Sequence, residues 1–110
     1  MSERQGSKSP DIYQTNRFRN AYKKMSLSQQ RAVDDVIDDI ANDPEIGEQK
    51  QGDLSHLRVY KFRISKMEYL LGYHWDDSRI VINLLQLGSH ENYYADAKKA
   101  ARVDKKFIAD

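Results

Sequence analysis

Two cations in a strand-like segment are the first residues of this sequence that could do chemistry. Across residues 60–64, aromatic or aliphatic residues alternate with cations, so Lys61 and Arg63 share one face of a strand. They lie about 7 Å apart along it, a spacing that suits the two sides of a phosphodiester. Arginine binds phosphate as a planar fork and lysine as a point charge. The segment predicts an anion-binding face, although ordinary solvated strands also carry such pairs.

A second segment, residues 88–94, supplies side chains that can carry protons. It contains His90 and Tyr94, and both residue types can act as general acids or bases. Because the segment follows the last predicted strand, its side chains return to the neighbourhood of Lys61. Two structural roles stay open, namely His90 as a helix cap or loop residue and Tyr94 as an anchor of the helix in the core.

The rest of the sequence has no pattern typical of a metal or cofactor site. There is no cysteine, and the three histidines, His56, His74 and His90, are scattered without ligand spacing. We find no glycine-rich phosphate loop and no serine nucleophile with partners. We therefore predict that the protein uses neither a metal nor a cofactor.

The elements that position these residues follow from periodicity and turn signals. Residues 1–10 are polar and aperiodic, which predicts a disordered tail before a single domain of residues 11–110. Asn16 is expected to cap a helix that runs through Lys24, and Ser26 or Ser28 to open a second helix that ends near Asn42. The remaining elements are predicted to be strands at 12–15, 57–64, 67–75 and 79–87, a connecting loop at 45–55 and a helix from Glu91 onward.

The short polar connections make the last three strands an antiparallel meander. The apolar stripe of the second helix, which includes Val33, Val36 and Ile40, needs a sheet face to cover it. We predict an α+β fold of two layers, with an N-terminal helical hairpin packed on the meander and a C-terminal helix. The other sheet face is expected to be open and to display Lys61 and Arg63.

Composition and charge limit the class of protein. The 110 residues are 39% hydrophobic and 32% charged, which is typical of one soluble domain. The absence of cysteine and of any signal or membrane-spanning stretch predicts a cytoplasmic protein with no membrane partner. The net charge of +1 averages an acidic segment at 33–48 and basic clusters at 57–66 and 98–106, a polarity that can steer an anionic partner.

Three segments that follow the helical hairpin resemble the RelE/ParE family of bacterial type II toxins. They are Val59-Tyr60-Lys61-Phe62-Arg63-Ile64, Tyr69-Leu70-Leu71-Gly72-Tyr73 and Gly88-Ser89-His90-Glu91-Asn92-Tyr93-Tyr94. The resemblance covers about residues 13–102. For the RelE branch it implies ribosome-dependent cleavage of mRNA, in which the 2′-hydroxyl attacks the adjacent phosphate and leaves a 2′,3′-cyclic phosphate and a 5′-hydroxyl.

The resemblance also implies roles for individual residues. Lys61 matches a basic strand position that serves as general base or phosphate ligand, and Arg63 matches the next basic position. His90 stands where many members have arginine, and Tyr94 matches the tyrosine that opens the terminal helix. Leu70 occupies a position where the family often has an arginine that stabilises the transition state. Two alternatives follow: Arg58 or Arg63 supplies that cation, or the chemistry is weakened or absent. The catalytic set implied is Lys61, Arg63, His90 and Tyr94, and the expected RNA-binding set is Arg58, Lys66, His74, Tyr93 and Lys98.

The partners that the resemblance implies are a cognate antitoxin, the ribosome with its mRNA, and operator DNA bound through the antitoxin. Two other functions stay open. A ParE-like toxin would inhibit DNA gyrase without any acid or base, and the replacement by Leu70 favours this reading. A degenerate toxin would act mainly as a co-repressor with its antitoxin.

Overall fold

The computed structural model describes residues 9–109, which fold in the predicted order of elements. Residues 1–8 of the predicted tail and the last residue, Asp110, lie outside the described residues. The elements in chain order are β1 (Asp11–Gln14), α1 (Asn16–Lys23), α2 (Leu27–Asn42), β2 (Glu48–Gln49), a 3-10 turn (Gly52–Leu54), β3 (Arg58–Ile64), β4 (Met67–Asp76), β5 (Val81–Ser89) and α3 (Tyr93–Ala109).

Side-chain caps set the start of the two N-terminal helices. The cap of α1 is Thr15 and not Asn16 as predicted, because the Thr15 hydroxyl accepts the N–H of Phe18 at 3.0 Å. The same hydroxyl donates to the carbonyl of Leu85 at 2.9 Å, which ties the helix to the sheet. At α2 the prediction is confirmed, since Ser26 and Gln29 form a reciprocal capping box.

The sheet has five strands in the order β1-β5-β4-β3-β2. The antiparallel meander of β3, β4 and β5 is confirmed, but β1 pairs with β5 in parallel, which makes the sheet mixed. The predicted loop at 45–55 contains the two-residue strand β2, which pairs with the start of β3. A register shift between β4 and β5 leaves Leu85 as an extra residue opposite the Gly72–Tyr73 step.

One face of the sheet, here called the hairpin face, is covered by α1 and α2. Phe18, Val33 and Ile40 from the helices pack there against Leu71 and Tyr73 of β4, and all five are almost completely buried. This burial removes the apolar stripe of the hairpin from water, as the sequence pattern requires. The predicted α+β class, with a helical hairpin packed on a meander and a C-terminal helix, is confirmed.

The opposite face, here called the α3 face, is not open throughout as we expected. The terminal helix and the 3-10 turn pack on it, and Tyr93 and Ala97 of α3 contact a buried cluster with Val59, Leu70 and Leu85. The expectation holds only beyond this cluster, where Lys61 and Arg63 are exposed. Within the described part of the chain, no helix is long and apolar enough to cross a membrane.

A buried ion pair fixes α3 to the rest of the domain. Asp104 of α3 is 2% exposed, and its carboxylate accepts two hydrogen bonds from the guanidinium of Arg17 at 3.1 and 2.9 Å. Arg17 also donates to Gln86 of β5 at 3.2 Å. Since the two-pronged geometry satisfies both carboxylate oxygens, the pair sets the position of α3 relative to α1 and β5.

Candidate functional site

Lys61 and Arg63 lie on the α3 face of β3, and both side chains are exposed. The strand pairing places Lys61 opposite Leu70 of β4 and Leu70 opposite Gly88 of β5. Because neighbouring strands lie about 4.8 Å apart, the backbone of Lys61 and that of Gly88 are separated by about 10 Å. The cross-strand neighbours Lys61, Leu70 and Gly88 therefore connect the exposed lysine with the segment that carries His90 and Tyr94.

His90 and Tyr94 lie at the junction between β5 and α3. His90 is exposed, Tyr94 is half-buried, and their ring centroids are 6.3 Å apart in an edge-to-face arrangement. Tyr94 packs against the cluster that contains Val59, which is on the same face of β3 as Lys61 and about 7 Å before it along the strand. The structure thus brings Lys61, His90 and Tyr94 to the same end of the α3 face.

Tyr93 is buried in the core, which does not fit the RNA contact expected of it. The side chain is 2% exposed, and its hydroxyl donates to the carbonyl of Gln86 at 3.0 Å. Burial raises the pKa of Tyr93 well above its ordinary value. The ring contacts that of Tyr94 with the centroids 5.5 Å apart, so Tyr93 supports the candidate site from within the core.

Leu70 belongs to the core beneath α3. It is 0% exposed and packs with Leu85 and Tyr93, so an aliphatic side chain is what this position accommodates. Leu70 therefore contributes no charge to this surface. Arg63 is exposed on the α3 face, and its guanidinium donates to the carbonyl of Lys66 at 3.1 Å in the turn after β3.

The other expected RNA-binding residues are spread over the molecule. Arg58 shares the hairpin face with its cross-strand partner Tyr73, and it donates to two carbonyls of the loop before β2. His74 is half-buried and lies four residues beyond Leu70 along β4, where its Nδ1 atom is 2.8 Å from the carbonyl oxygen of His56. Lys98 is exposed on α3 and borders a shallow basic cleft, whereas Lys66 lies in the turn beside Arg63. The structure therefore does not bring Arg58 or His74 together with Lys61.

Lys50 is a residue at this site that the sequence did not identify. Its ammonium nitrogen lies 5.0 Å from the ring centroid of Tyr94 and 3.0 Å from the carboxylate of Glu48. Burial lowers the pKa of Lys50, but the hydrogen bond to Glu48 and the proximity of Tyr94 outweigh this effect, and the pKa is raised above its ordinary value. The side chain is therefore a permanent cation at neutral pH.

Nothing in the sequence separates Lys50 from other polar loop residues. The short alternation Glu48-Gln49-Lys50 before Gly52 is the sole signal of a strand, and two paired residues are too few to predict. Among the described residues, 9–109, no three histidine, aspartate or glutamate side chains are grouped so that they could hold a metal ion.

Comparison with known proteins agrees with this architecture. A family model described as ParE-like toxin of type II bacterial toxin-antitoxin system matches residues 12–98. The chain belongs to this family. Because the match runs from β1 into α3, it includes every residue that we place at the candidate site.

Solved structures of RelE toxins share the fold of this ParE-like toxin. A variant of Escherichia coli RelE in the free state superposes with a TM-score of 0.68 at 17% identity, over 87% of this chain and 99% of that one. The intact E. coli RelBE toxin-antitoxin complex superposes with a TM-score of 0.62 at 18% identity, over 74% of this chain and 98% of that one. The RelBE2 toxin-antitoxin complex from Mycobacterium tuberculosis gives a TM-score of 0.62 at 19% identity, over 76% of this chain and 94% of that one. A search of curated protein sequences finds no match for this chain.

Proposed function

We propose that this ParE-like toxin is an endoribonuclease that cleaves mRNA on the ribosome and so arrests translation. The observation that carries the proposal is the convergence of Lys61 with His90 and Tyr94 at the exposed end of the α3 face. Cations for a phosphate and side chains that can transfer protons are what cleavage at a ribose phosphate requires. The surface is open, as a site for a long single strand must be.

The reaction that we propose is an internal transesterification. The 2′-oxygen of one nucleotide forms a bond to the adjacent phosphorus, and the bond from phosphorus to the 5′-oxygen of the next nucleotide breaks. The 2′-hydroxyl gives its proton to a base, and the leaving 5′-oxygen receives a proton from an acid. The products are a 2′,3′-cyclic phosphate and a 5′-hydroxyl, and no water, metal or oxidant is consumed.

The exposed residues divide naturally between two tasks. In this proposal, Lys61 and Arg63 bind the non-bridging phosphate oxygens, whose negative charge increases as the phosphorane forms. His90 and Tyr94 exchange protons with the 2′- and 5′-oxygens in the same proposal. His90 is the more accessible of the two, whereas Tyr94 is held by its contacts with Tyr93 and Lys50.

A cognate antitoxin is the partner that we propose for this basic surface. Structurally similar RelE proteins are found in complexes with RelB antitoxins. An acidic antitoxin segment that covers Lys61 and Arg63 would block access of RNA directly, because the acidic segment and the RNA phosphates would compete for the same two cations. Operator DNA would then be bound through the antitoxin, and the ribosome would present the mRNA.

The test is cleavage of mRNA on purified ribosomes stalled with a defined codon in the A site. We expect new RNA ends inside the codon, with a 2′,3′-cyclic phosphate on the upstream fragment. Lys61→Ala should reduce the cleavage rate about 100-fold or more, since loss of one donor to a developing oxyanion costs that much in other enzymes. Lys24→Ala is the matched control, because Lys24 is exposed at the end of α1 on the helical hairpin.

A second candidate function is inhibition of DNA gyrase. It is favoured by the burial of Leu70, which leaves the site without the cation usual in RelE nucleases, and by the ParE-like description of the family model. Intact mRNA on ribosomes, together with gyrase-dependent breaks in plasmid DNA, would support this function and exclude the nuclease.

A further inference from the structure

We propose that Lys50 binds the scissile phosphate and supplies the cation that Leu70 does not. The inference rests on the proposed nuclease function and adds a residue to the same site. Lys50 would donate a hydrogen bond to a non-bridging oxygen of the phosphorane and would transfer no proton.

Arg58 and Arg63 are the two arginines that could replace the missing cation, and they lie in different places. Arg58 is on the hairpin face, where its guanidinium is occupied by the carbonyls of Glu45 and Gly47 at 3.1 and 2.8 Å. Arg63 lies beyond Lys61, at the turn end of β3. Lys50, in contrast, is observed beside the ring of Tyr94, with its ammonium nitrogen 5.0 Å from the ring centroid.

The short strand β2 places Lys50 on the correct face of the sheet. Glu48 pairs with Val59, so both point toward the α3 face, and Lys50 follows two residues later with the same orientation. The backbone N–H of Lys50 donates to the carbonyl of Leu57 at 2.9 Å, which extends the ladder by one more bond. Lys50 and Lys61 thus lie on the same face of the sheet on opposite sides of Val59, and the ammonium of Lys50 is beside the ring of Tyr94.

The surroundings of the ammonium group leave it able to bind an anion. The side chain of Lys50 is 21% exposed, and an ammonium has three N–H donors, one of which is directed to Glu48. Glu48 is 67% exposed, and pairs of this kind contribute little to stability, so a phosphate can take its place. The ring of Tyr94, 5.0 Å away, keeps the ammonium beside the phenol hydroxyl.

A purely structural role for Lys50 is the competing explanation, because a cation over an aromatic ring also stabilises a fold. The two roles predict different behaviour of the variants. A phosphate ligand is needed in the transition state and can be replaced by another cation. A packing contact affects the free energy of unfolding and does not require charge at the exposed tip.

The decisive experiment measures single-turnover cleavage on stalled ribosomes at saturating toxin, together with urea unfolding of each free variant. Lys50→Met should lower the cleavage rate constant about 100-fold, as loss of a transition-state donor does, with little change in the toxin concentration for half-maximal rate. Lys50→Arg should stay within about tenfold of the wild type, since arginine keeps the charge and the donors. Lys24→Met controls for loss of a surface lysine.

Each outcome bears on a different claim. If wild-type toxin forms no cyclic phosphate, the nuclease proposal fails and this inference fails with it. If the wild type cleaves and Lys61→Ala is inactive while Lys50→Met cleaves at the wild-type rate, the nuclease stands and Lys50 is not part of it. If Lys50→Met loses stability and Lys50→Arg restores neither stability nor cleavage, the role is structural and the proposal is overturned.

Discussion

Replacing Gly72 with alanine is expected to destabilise the domain by pushing Tyr93 away from the sheet. A Cβ atom at Gly72 would lie 2.6 Å from the hydroxyl oxygen of Tyr93 and 3.0 Å from a methyl group of Leu57. Both groups are buried on the α3 face, so neither can move into water without opening the core. Gly72 therefore allows the Tyr93 ring to lie directly over β4.

The size of the effect follows from three contributions. Overpacking of a buried site costs about 1–3 kcal/mol. Withdrawal of the Tyr93 hydroxyl from the carbonyl of Gln86 would cost about 1 kcal/mol more. Replacing a strand glycine by alanine returns about 0.5–1 kcal/mol of stability. We therefore expect Gly72→Ala to lower the free energy of unfolding by about 2 kcal/mol.

Urea unfolding followed by the fluorescence of Trp75, the single tryptophan, measures this change. Gly88→Ala is the matched control, because its Cβ would lie 3.8 Å from the nearest atom of Tyr93, an ordinary contact. We expect that variant to be as stable as the wild type or slightly more so.

The double variant Gly72→Ala/Tyr93→Phe separates the steric cause from a general effect on the strand. Removing the hydroxyl relieves the closest contact, so Tyr93→Phe should cost less in the alanine background than in the wild type. Equal costs in the two backgrounds, or a Gly72→Ala variant within about 0.5 kcal/mol of the wild type, would show that Tyr93 does not lie as tightly on β4 as described.

Two further predictions concern the loops at the ends of the sheet. Tyr73→Phe removes two hydrogen bonds, one of them from the N–H of Gly47 at 2.9 Å, and should cost about 1–3 kcal/mol and speed amide exchange at Gly47; unchanged exchange would refute it. Hydrogen bonds from Ser78 and then Arg79 lower the pKa of Asp76 from 3.8 to about 2, so its stabilising effect is present above pH 3.8 and lost as the pH falls toward 2. Asp76→Asn should flatten the pH dependence of the thermal midpoint in that interval, and an unaltered slope would contradict the assignment.

The parts of the fold that depend on local pattern could be predicted from the sequence. The alternation around Lys61 and Arg63 marked β3, and the spacing of Val33, Val36 and Ile40 marked the buried face of α2. These signals depend on a few neighbouring residues, so the chain itself contains them. The prediction of Asn16 as the cap of α1 was wrong because asparagine and threonine both cap helices. The hydrogen bond from the Thr15 hydroxyl to the carbonyl of Leu85, which the sequence does not reveal, selects Thr15.

The arrangement of elements around the sheet could not be predicted in the same way. The face that α3 covers depends on a connection of three residues, His90 to Asn92, in which Asn92 adopts a left-handed backbone with φ of 59°. The buried stripe of α3, Tyr93, Ala97, Ala101 and Asp104, has little apolar character and ends in a charge. The predicted site was incomplete for a related reason, because Lys50 contacts Tyr94, which follows it by 44 residues in the chain.

The parallel pairing of β1 with β5 has a consequence for synthesis of the chain. Thr15 and its partner Leu85 are 70 residues apart, so the first strand is made long before the strand that receives it. At a translation rate of about 5–20 residues per second, this interval is about 4–14 s. During that time the apolar faces of the hairpin lack their sheet, and a complete surface around Lys61 and Tyr94 cannot form until α3 has also left the ribosome. For several seconds of each round of synthesis, the nascent chain therefore lacks its finished fold.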